Sequence, residues 1–539
     1  MLGAFRRSLL PCPRGLGMSL GVLTALALAA SPALGQGQPY GFVYLMSGDT
    51  LGVERVTLMG GGMIGDIQMR GQPRQEWTAV LTGPGQFTSL AISAYKSAAA
   101  DAPLLQRATL ALVDDSVRAD VSGPGGTASS QRLATRRNAL LLVNASAAMV
   151  DLALDRARAT PSPYDTIPVF LVTGGQTLDS YLHVWGDSAL WMLGGQEMRL
   201  ILQDGHVREA IVSRQNLRMK RVDGAAYAAL RMGGVDYSAP AGAPYTAASV
   251  RVPATGGHDL AGTLTLPTAR TGRVPAVVTI TGSGPQDRDE YIPLVPGYRP
   301  FRQLADTLGR HGIAVLRYDD RGTGESGGTF AGSTSADFAS DVASAVRWLR
   351  ARPEIDPARI FLVGHSEGGL IAPMVAADDP RLAGIVLLAG PARNGLDIIK
   401  FQQRFAIEHD SSLTSAARRD SAITTANTAV NDMARQDKWM AFFFTYDPIP
   451  TAKRVKVPTF IVQGGTDQQV TPEQADMLAA ALKAGGNTNV SVRVFPERNH
   501  LFLPDASGNP ANYTKITNGH IGADVVGPVV DWLVRHSAR

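Results

Sequence analysis

The second half of the chain alternates fully apolar runs with segments in which apolar residues recur at helical spacing. Runs such as Pro275 to Thr281 and Thr459 to Val462 predict strands, and Ile360 to Val363 is a continuous apolar run, as expected for a central strand covered on both faces. Between two such runs, Ala336 to Arg350 places its apolar side chains on one face and predicts a helix. Strands that alternate with helices predict a doubly wound, mainly parallel sheet, and hence an α/β fold class.

The first half has a different pattern. Short apolar runs are separated by glycine-containing turns, and Leu200 to Leu202 and Ala210 to Val212 flank the turn Gln203-Asp204-Gly205 as the arms of a hairpin would. One segment, Ala147 to Arg158, has helical spacing instead. The pattern predicts an antiparallel β-rich domain over residues 36–237, and it does not indicate what that domain does.

A stretch that contains prolines and glycines separates these two sequence patterns. It predicts a linker over residues 238–249, followed by a second domain over 250–539. Within that domain, residues 392–455 have polar helical character and interrupt the strand–helix alternation, as a helical lid insertion would. The aromatic run Phe442 to Phe444 near its end either shapes a pocket or anchors the insertion to the core. The second interpretation is favoured.

The first 35 residues predict a signal peptide. They carry arginines, an apolar run from Leu20 to Ala30, and the small residues Ala33 and Gly35 at the expected cleavage site. The alternative, a membrane anchor, needs an apolar run of about 20 residues. We therefore expect a periplasmic or secreted protein without a stable membrane span in the mature chain.

Charge and cysteine content exclude several classes of function. Residues 1–35 contain three of the 51 basic side chains and none of the 47 acidic ones, so the remainder is almost neutral and has no bias toward nucleic acid. The single cysteine, Cys12, lies in the predicted signal peptide, which leaves no disulfide and no thiol nucleophile. Histidines and acids are not clustered at ligand spacing, so neither a metal nor a cofactor is implied. The oligomeric state stays open.

The strongest chemical motif is Gly364-His365-Ser366-Glu367-Gly368-Gly369, which follows the strand Ile360 to Val363 and precedes an apolar stretch of helical character. A G-x-S-x-G at a strand-to-helix turn is a nucleophile elbow, in which the serine hydroxyl points out of the sheet. Ser366 is therefore the predicted nucleophile, and His365 is expected to point away from it.

A serine hydroxyl needs an adjacent base, and the base in turn needs an acid that fixes its tautomer. His500 is the predicted base because it follows the strand Val490 to Phe495 in a loop at the carboxyl edge of the sheet. Asp467 is the predicted acid. It follows the strand ending at Val462 and a glycine turn, and it lies between serine and histidine as the order Ser…Asp…His requires.

The developing oxyanion needs donors that already point toward it. One predicted donor is the backbone N–H of Glu367, the residue after the nucleophile. The second comes from the loop after the strand Pro275 to Thr281, where the N–H of Ser283 is favoured over that of Gly284.

Five motifs occur in order along the second half: Gly-Ser-Gly-Pro-Gln-Asp-Arg-Asp (282–289), Tyr-Asp-Asp-Arg-Gly-Thr-Gly-Glu-Ser (318–326), the Gly-His-Ser-Glu-Gly-Gly motif, the Asp467 turn and Asn-His-Leu-Phe (499–502). Together they resemble the bacterial serine esterases of the α/β-hydrolase superfamily, which are related to prolyl-oligopeptidase-like and serine-aminopeptidase-like hydrolases. The resemblance covers about 295 residues and is absent from the first half. It implies an α/β-hydrolase fold for residues 250–539.

The resemblance also implies roles for two loops. Asp319 to Ser326 is expected to be a structural loop beside the oxyanion hole, with Arg321 as a scaffold charge. Gln286, Asp287 and Arg288 lie at the same rim, where substrate contact and loop bracing are both open.

These residues predict a carboxylesterase that acts on a small-molecule acyl ester through an acyl-enzyme intermediate, without a cofactor. One alternative is a serine peptidase, either an aminopeptidase or a dipeptidyl peptidase, with the same Ser366, Asp467 and His500. Another is a binding or scaffold protein built on an inactive hydrolase fold.

Overall fold

The computed structural model describes residues 38–59, 61–97, 102–123, 128–144, 146–159, 164–232, 235–410 and 413–538. The predicted signal peptide, residues 1–35, lies outside the described residues. The chain divides into two compact units, the first ending at Gly234 and the second beginning at Val235. The predicted linker, 238–249, therefore lies inside the second unit, whose first strand begins at Tyr245.

In its described residues, the first unit contains a sheet of fifteen strands: β1 (Tyr40–Met46), β2 (Asp49–Met59), β3 (Gly62–Met69), β4 (Arg74–Gly83), β5 (Gln86–Tyr95), β6 (Leu104–Val113), β7 (Ser116–Ser122), β8 (Ala128–Ala134), β9 (Leu140–Leu142), β10 (Tyr164–Leu171), β11 (Gln176–Trp185), β12 (Ser188–Leu193), β13 (Gln196–Gln203), β14 (His206–Val212) and β15 (Leu217–Asp223). Its helices are α1 (Ala148–Ala159), α2 (Gly224–Ala229) and a 3₁₀ turn, Ser213–Gln215. The strand order is β8-β7-β6-β5-β4-β3-β2-β1-β15-β14-β13-β12-β11-β10-β9.

Strand neighbours in this sheet are antiparallel, apart from the parallel pair β9 and β10. Buried and more exposed positions alternate along most strands, so one face of the sheet forms the core and packs against α1. The predicted hairpin corresponds to β13 and β14, and the helical segment to α1. The antiparallel β-rich domain expected from the sequence is confirmed.

Where the structure describes it, the second unit contains a sheet of eight strands: β16 (Tyr245–Ala254), β17 (His258–Pro267), β18 (Val274–Ile280), β19 (Ala314–Tyr318), β20 (Ile355–His365), β21 (Gly384–Leu388), β22 (Thr459–Gly464) and β23 (Val490–Phe495). Its helices are α3 (Pro300–Arg310), α4 (Ser335–Arg350), α5 (Glu367–Asp378), α6 (Gly395–Glu408), α7 (Ala416–Gln436), α8 (Lys438–Thr445), α9 (Pro448–Arg454), α10 (Glu473–Ala484), α11 (Ala523–Ser537) and a 3₁₀ helix, Pro510–Lys515. The strand order is β16-β17-β19-β18-β20-β21-β22-β23.

The six strands from β19 to β23 in that order are parallel, and β16 and β17 form an antiparallel edge. Helices α4, α5 and α10 pack on one face of the sheet, and α3 and α11 pack on the other. Every residue of β18 and of β22 is buried, and so is Ile360 to Val363 in β20, as its continuous apolar run predicted. The doubly wound sheet is confirmed.

Helices α6 to α9 lie between β21 and β22, within the predicted insertion. Phe443 and Phe444 are buried in the core of the unit, and the ring of Trp439 stacks on Phe443 at a centroid distance of 5.0 Å. These aromatic side chains therefore anchor the insertion to the core. Within the described ranges, no helix is both long enough and apolar enough to cross a bilayer.

Candidate active site

Ser366 occupies the turn between β20 and α5. Its φ of 54° and ψ of −117° are a strained backbone conformation for a residue with a side chain. Glycines are required on both sides. A Cβ at Gly364 would collide with the backbone of Gly368, and a Cβ at Gly368 would collide with the carbonyl of Ile280. The turn therefore has the backbone geometry of a nucleophile elbow.

His500 and Asp467 form a buried pair. The imidazole Nδ1 of His500 donates to Oδ2 of Asp467 at 2.7 Å, and the Asp467 side chain is fully buried. That carboxylate also accepts hydrogen bonds from the Nε2 of Gln463 and from the backbone N–H groups of Gln469 and Val470. Because the proton lies on Nδ1, the imidazole presents Nε2 as an acceptor, which a general base needs.

The three predicted catalytic residues follow β20, β22 and β23, which belong to the parallel part of one sheet, so their loops meet at one edge. The backbone carbonyl of His500 lies 3.0 Å from Nε2 of His365, the residue directly before Ser366. Among the described residues, no hydrogen bond joins the Ser366 hydroxyl to His500. The link between nucleophile and base therefore stays a prediction.

Glu367, the residue after the nucleophile, has a buried carboxylate. That carboxylate accepts hydrogen bonds from Ser335 Oγ at 2.6 Å and from Trp439 Nε1 at 2.7 Å. Burial raises the pKa of the Glu367 carboxyl, although these hydrogen bonds oppose the shift. The backbone donors of Glu367 and Ser283 stay predictions.

A small cleft lies beside these loops, lined by Gly282, Gly284, Glu367 and Asp320 among others. The Asp320 carboxylate accepts hydrogen bonds from Thr281 Oγ1 at 2.8 Å and from a backbone N–H at 2.9 Å. Burial raises the pKa of the Asp320 carboxyl well above its ordinary value. The cleft wall therefore contains carboxyl groups that burial makes harder to ionise.

The rim residues brace loops. Arg288 is fully buried and donates to both carboxylate oxygens of Asp319, at 3.0 and 2.8 Å. The guanidinium of Arg321 donates to the Asp341 carboxylate at 2.7 and 2.8 Å, as a scaffold charge would. The carboxylate of Asp287 accepts backbone N–H groups of its own loop at 3.0 Å.

Sequence reasoning missed the role of Glu290. Its Oε1 accepts a hydrogen bond from Nδ1 of His365 at 2.7 Å and from the backbone N–H of Gly282 at 2.9 Å, and its side chain is 2% exposed. The Gly-Ser-Gly-Pro-Gln-Asp-Arg-Asp motif ends one residue before Glu290. The sequence shows an acid directly after that motif and a histidine directly before the nucleophile. Neither residue indicates that the other is its hydrogen-bond partner.

Metal binding has no candidate in the part of the chain that the structure describes. No group of three or more histidine, cysteine, aspartate or glutamate residues there has an arrangement that could hold an ion.

The chain is similar to a known hydrolase family and to named esterases. A family model described as serine aminopeptidase, S33, matches residues 297–507. A curated relative, esterase EstD of Thermotoga maritima, is 29% identical over 287 residues, which span 52% of this chain and 66% of the relative. The chain thus matches about two thirds of the length of that relative.

Two solved structures are also similar. The esterase Pf2001 of Pyrococcus furiosus aligns with a TM-score of 0.39 and 18% identity, over 57% of this chain and 97% of the other. Est1E of Butyrivibrio proteoclasticus, solved with ferulic acid bound, aligns with a TM-score of 0.36 and 17% identity, over 54% of this chain and all of the other.

Proposed function

Since the second unit of this chain belongs to the α/β-hydrolase superfamily, we propose that the protein is a serine hydrolase that cleaves carboxylic esters of small molecules. The observation that carries the proposal is the buried His500–Asp467 pair beside the strained turn that holds Ser366. A similar protein that is named an esterase supports the choice of an ester substrate.

The proposed reaction has two steps. Ser366 Oγ attacks the ester carbonyl while His500 Nε2 takes its proton. The tetrahedral intermediate then expels the alcohol, which receives that proton. Water attacks the acyl-serine next, His500 accepts a proton from the water, and the acid leaves as Ser366 regains its proton. Asp467 holds the imidazole orientation and stabilises the imidazolium, and the N–H groups of Glu367 and Ser283 stabilise the oxyanion.

Hydrolysis of p-nitrophenyl acetate and butyrate by the full chain tests this proposal. We expect turnover that Ser366→Ala abolishes, and covalent labelling of the wild type, but not of Ser366→Ala, by a fluorophosphonate. Ser421→Ala, an exposed serine on α7, is the matched control and should keep full activity. Full ester turnover by purified Ser366→Ala would reject the assignment.

The second candidate is a serine peptidase, because the matching family model is described as a serine aminopeptidase. The same three residues would then cleave an amide. Aminoacyl p-nitroanilides distinguish the candidates: anilide turnover without ester turnover would favour the peptidase.

We also propose that the protein acts outside the cytoplasm, in the periplasm or the medium. Support comes only from the first 35 residues, whose charge and apolar run are typical of a signal peptide. Fractionation of cells that express the full chain, with terminal sequencing of the product, tests this. A cytoplasmic protein that retains residue 1 would contradict it.

A further inference from the structure

We propose that Glu290 and His365 are positioning residues, whose buried ion pair holds the backbone of His500 beside the Ser366 turn. This inference rests on the proposed function. It concerns the placement of the base, and neither residue is assigned contact with the substrate.

The contacts of His365 determine its charge. Nδ1 lies 2.7 Å from Oε1 of Glu290, and Nε2 lies 3.0 Å from the backbone carbonyl oxygen of His500. When Glu290 is ionised, both partners are acceptors; a neutral imidazole carries only one N–H, so both hydrogen bonds then require that the ring is an imidazolium. The side chains of His365 and Glu290 are 5% and 2% exposed, which makes this a buried ion pair.

Glu290 connects the pair to a third loop. The same Oε1 accepts the backbone N–H of Gly282, at the start of the loop expected to supply an oxyanion donor. Glu290 itself has a φ of 56°, an uncommon conformation for a residue with a side chain, so the loop is bent to bring this carboxylate inward. One buried carboxylate thus contacts the oxyanion loop and the residue before the nucleophile, and through His365 it reaches the base.

The charged groups around His365 favour the cation. Glu290 from the loop after β18 and Asp467 from the loop after β22 are negative, and the His500 ring lies at a centroid distance of 4.9 Å. Tyr298, beside Glu290, has a pKa raised by burial and by that carboxylate, so it stays neutral. Burial, the largest single influence, lowers the pKa of His365, but Glu290, the backbone carbonyl of His500 and Asp467 together outweigh it and raise that pKa above its ordinary value.

The sign of the pH effect follows. Because the folded protein raises the pKa of His365, the clamp is intact at neutral pH and is lost as the pH rises through that folded value. When His365 is deprotonated, one of its ring nitrogens has no hydrogen. The lone pair on that nitrogen then faces one of the two acceptors, and that hydrogen bond is lost. We therefore expect an alkaline decline of kcat in the wild type.

Three variants test the inference with p-nitrophenyl butyrate: Glu290→Gln, His365→Gln and the double variant. Each rate is divided by the active-site concentration from fluorophosphonate titration, so a loss of folded protein does not count as a loss of rate. We expect kcat to fall about 10- to 100-fold in each single variant with little change in KM, since displacement of a catalytic group by about 1 Å costs that much. The double variant should lose no more than either single one, because the two residues act as a unit.

The pH profiles add a second readout. Glu290→Gln should move the alkaline decline to lower pH, and His365→Gln should remove it. His258→Gln is the matched control, because this buried histidine also pairs with a carboxylate, Asp341 at 3.2 Å, but does not contact His500. Unchanged kcat per active site in both single variants would overturn the inference.

A measurement on the wild type needs no substitution. With ¹⁵N-labelled histidine, NMR at pH 7 should show His365 with protons on both ring nitrogens; a single proton would overturn the inference. Ser366→Ala separates the two proposals. If it is inactive while Glu290→Gln and His365→Gln are unaffected, only the positioning role fails; if it stays active, the proposed function fails.

Discussion

Replacement of Asp467 by asparagine tests the tautomer of the proposed base, because its two oxygens have different partners. Oδ1 accepts the backbone N–H groups of Gln469 at 2.7 Å and Val470 at 3.0 Å. Oδ2 accepts Nδ1 of His500 at 2.7 Å and Nε2 of Gln463 at 3.0 Å. In Asp467→Asn the amide oxygen should remain opposite the two backbone donors, which leaves the NH₂ group facing the imidazole.

That orientation reverses the hydrogen bond to His500. Its Nδ1 must become the acceptor, so the ring proton moves to Nε2, where it prevents acceptance of the proton from Ser366. Asp467 is fully buried, so water has no access to restore the original tautomer. The same change in a serine protease lowers kcat by about 10⁴-fold, which corresponds to roughly 5 kcal/mol of transition-state stabilisation. We expect a loss of that size, with KM almost unchanged.

The assay is the steady-state hydrolysis of p-nitrophenyl butyrate, with the concentration of folded enzyme taken from circular dichroism and thermal unfolding. Asp505→Asn is the matched control, because this carboxylate lies near the same loop but bonds to Ser507 rather than to the imidazole. It should keep wild-type kcat. If folded Asp467→Asn retained more than about a tenth of wild-type kcat, its activity would be far above the expected residual activity. The assignment of Asp467 as the supporting acid would then be wrong.

Three further predictions concern the free energy of unfolding of the second unit, measured by urea denaturation. Burial, with repulsion from a neighbouring carboxylate, raises the pKa of Asp287 to about 6. The contribution of this carboxyl to the free energy of unfolding is therefore present near pH 4 and is lost as the pH rises to 6. Asp287→Asn should stabilise the fold at pH 8 by up to about 3 kcal/mol, and an equal gain at pH 4 would contradict this. Trp439→Phe keeps an aromatic ring but removes the hydrogen-bond donor to buried Glu367. The free energy of unfolding should fall by about 1–3 kcal/mol. An unchanged free energy of unfolding would show that water replaces the indole N–H. Arg288→Met leaves the buried Asp319 carboxylate uncompensated, which should cost about 3–5 kcal/mol, whereas a paired change of Asp319 to asparagine should recover part of the loss.

Local sequence was enough for most of the elements. The helix predicted from Ala336 is α4, which Thr334 caps in a full capping box with Asp337. The apolar run at Ile360 is the centre of β20, because a strand covered on both faces has no polar positions to alternate with. Bounds moved by a few residues where tertiary contacts extended an element, as at β20, which begins at Ile355.

The candidate site was predictable in part. Ser366 is recognisable because its turn demands glycines at fixed offsets, and Asp467 and His500 follow from strand order. The pairing of Glu290 with His365 was not predictable, because the two are 75 residues apart and neither lies in a pattern that requires the other. For the aromatic run Phe442 to Phe444, the sequence favoured an anchoring role over a role in shaping a pocket. The burial of Phe443 in the core was needed to show that the run anchors the insertion.

The sequence by itself determined the two classes of unit, the order of strands and helices, and the residue types available for acyl chemistry. Those properties follow from periodicity and from short motifs, which act over a few residues. Only the tertiary structure decided which buried ionisable groups face each other, from which we infer the cationic state of His365 and the resistance of some carboxyls to ionisation. Such pairs join residues far apart in the chain, and their energies depend on burial and on distances of a few ångströms, which no local pattern contains.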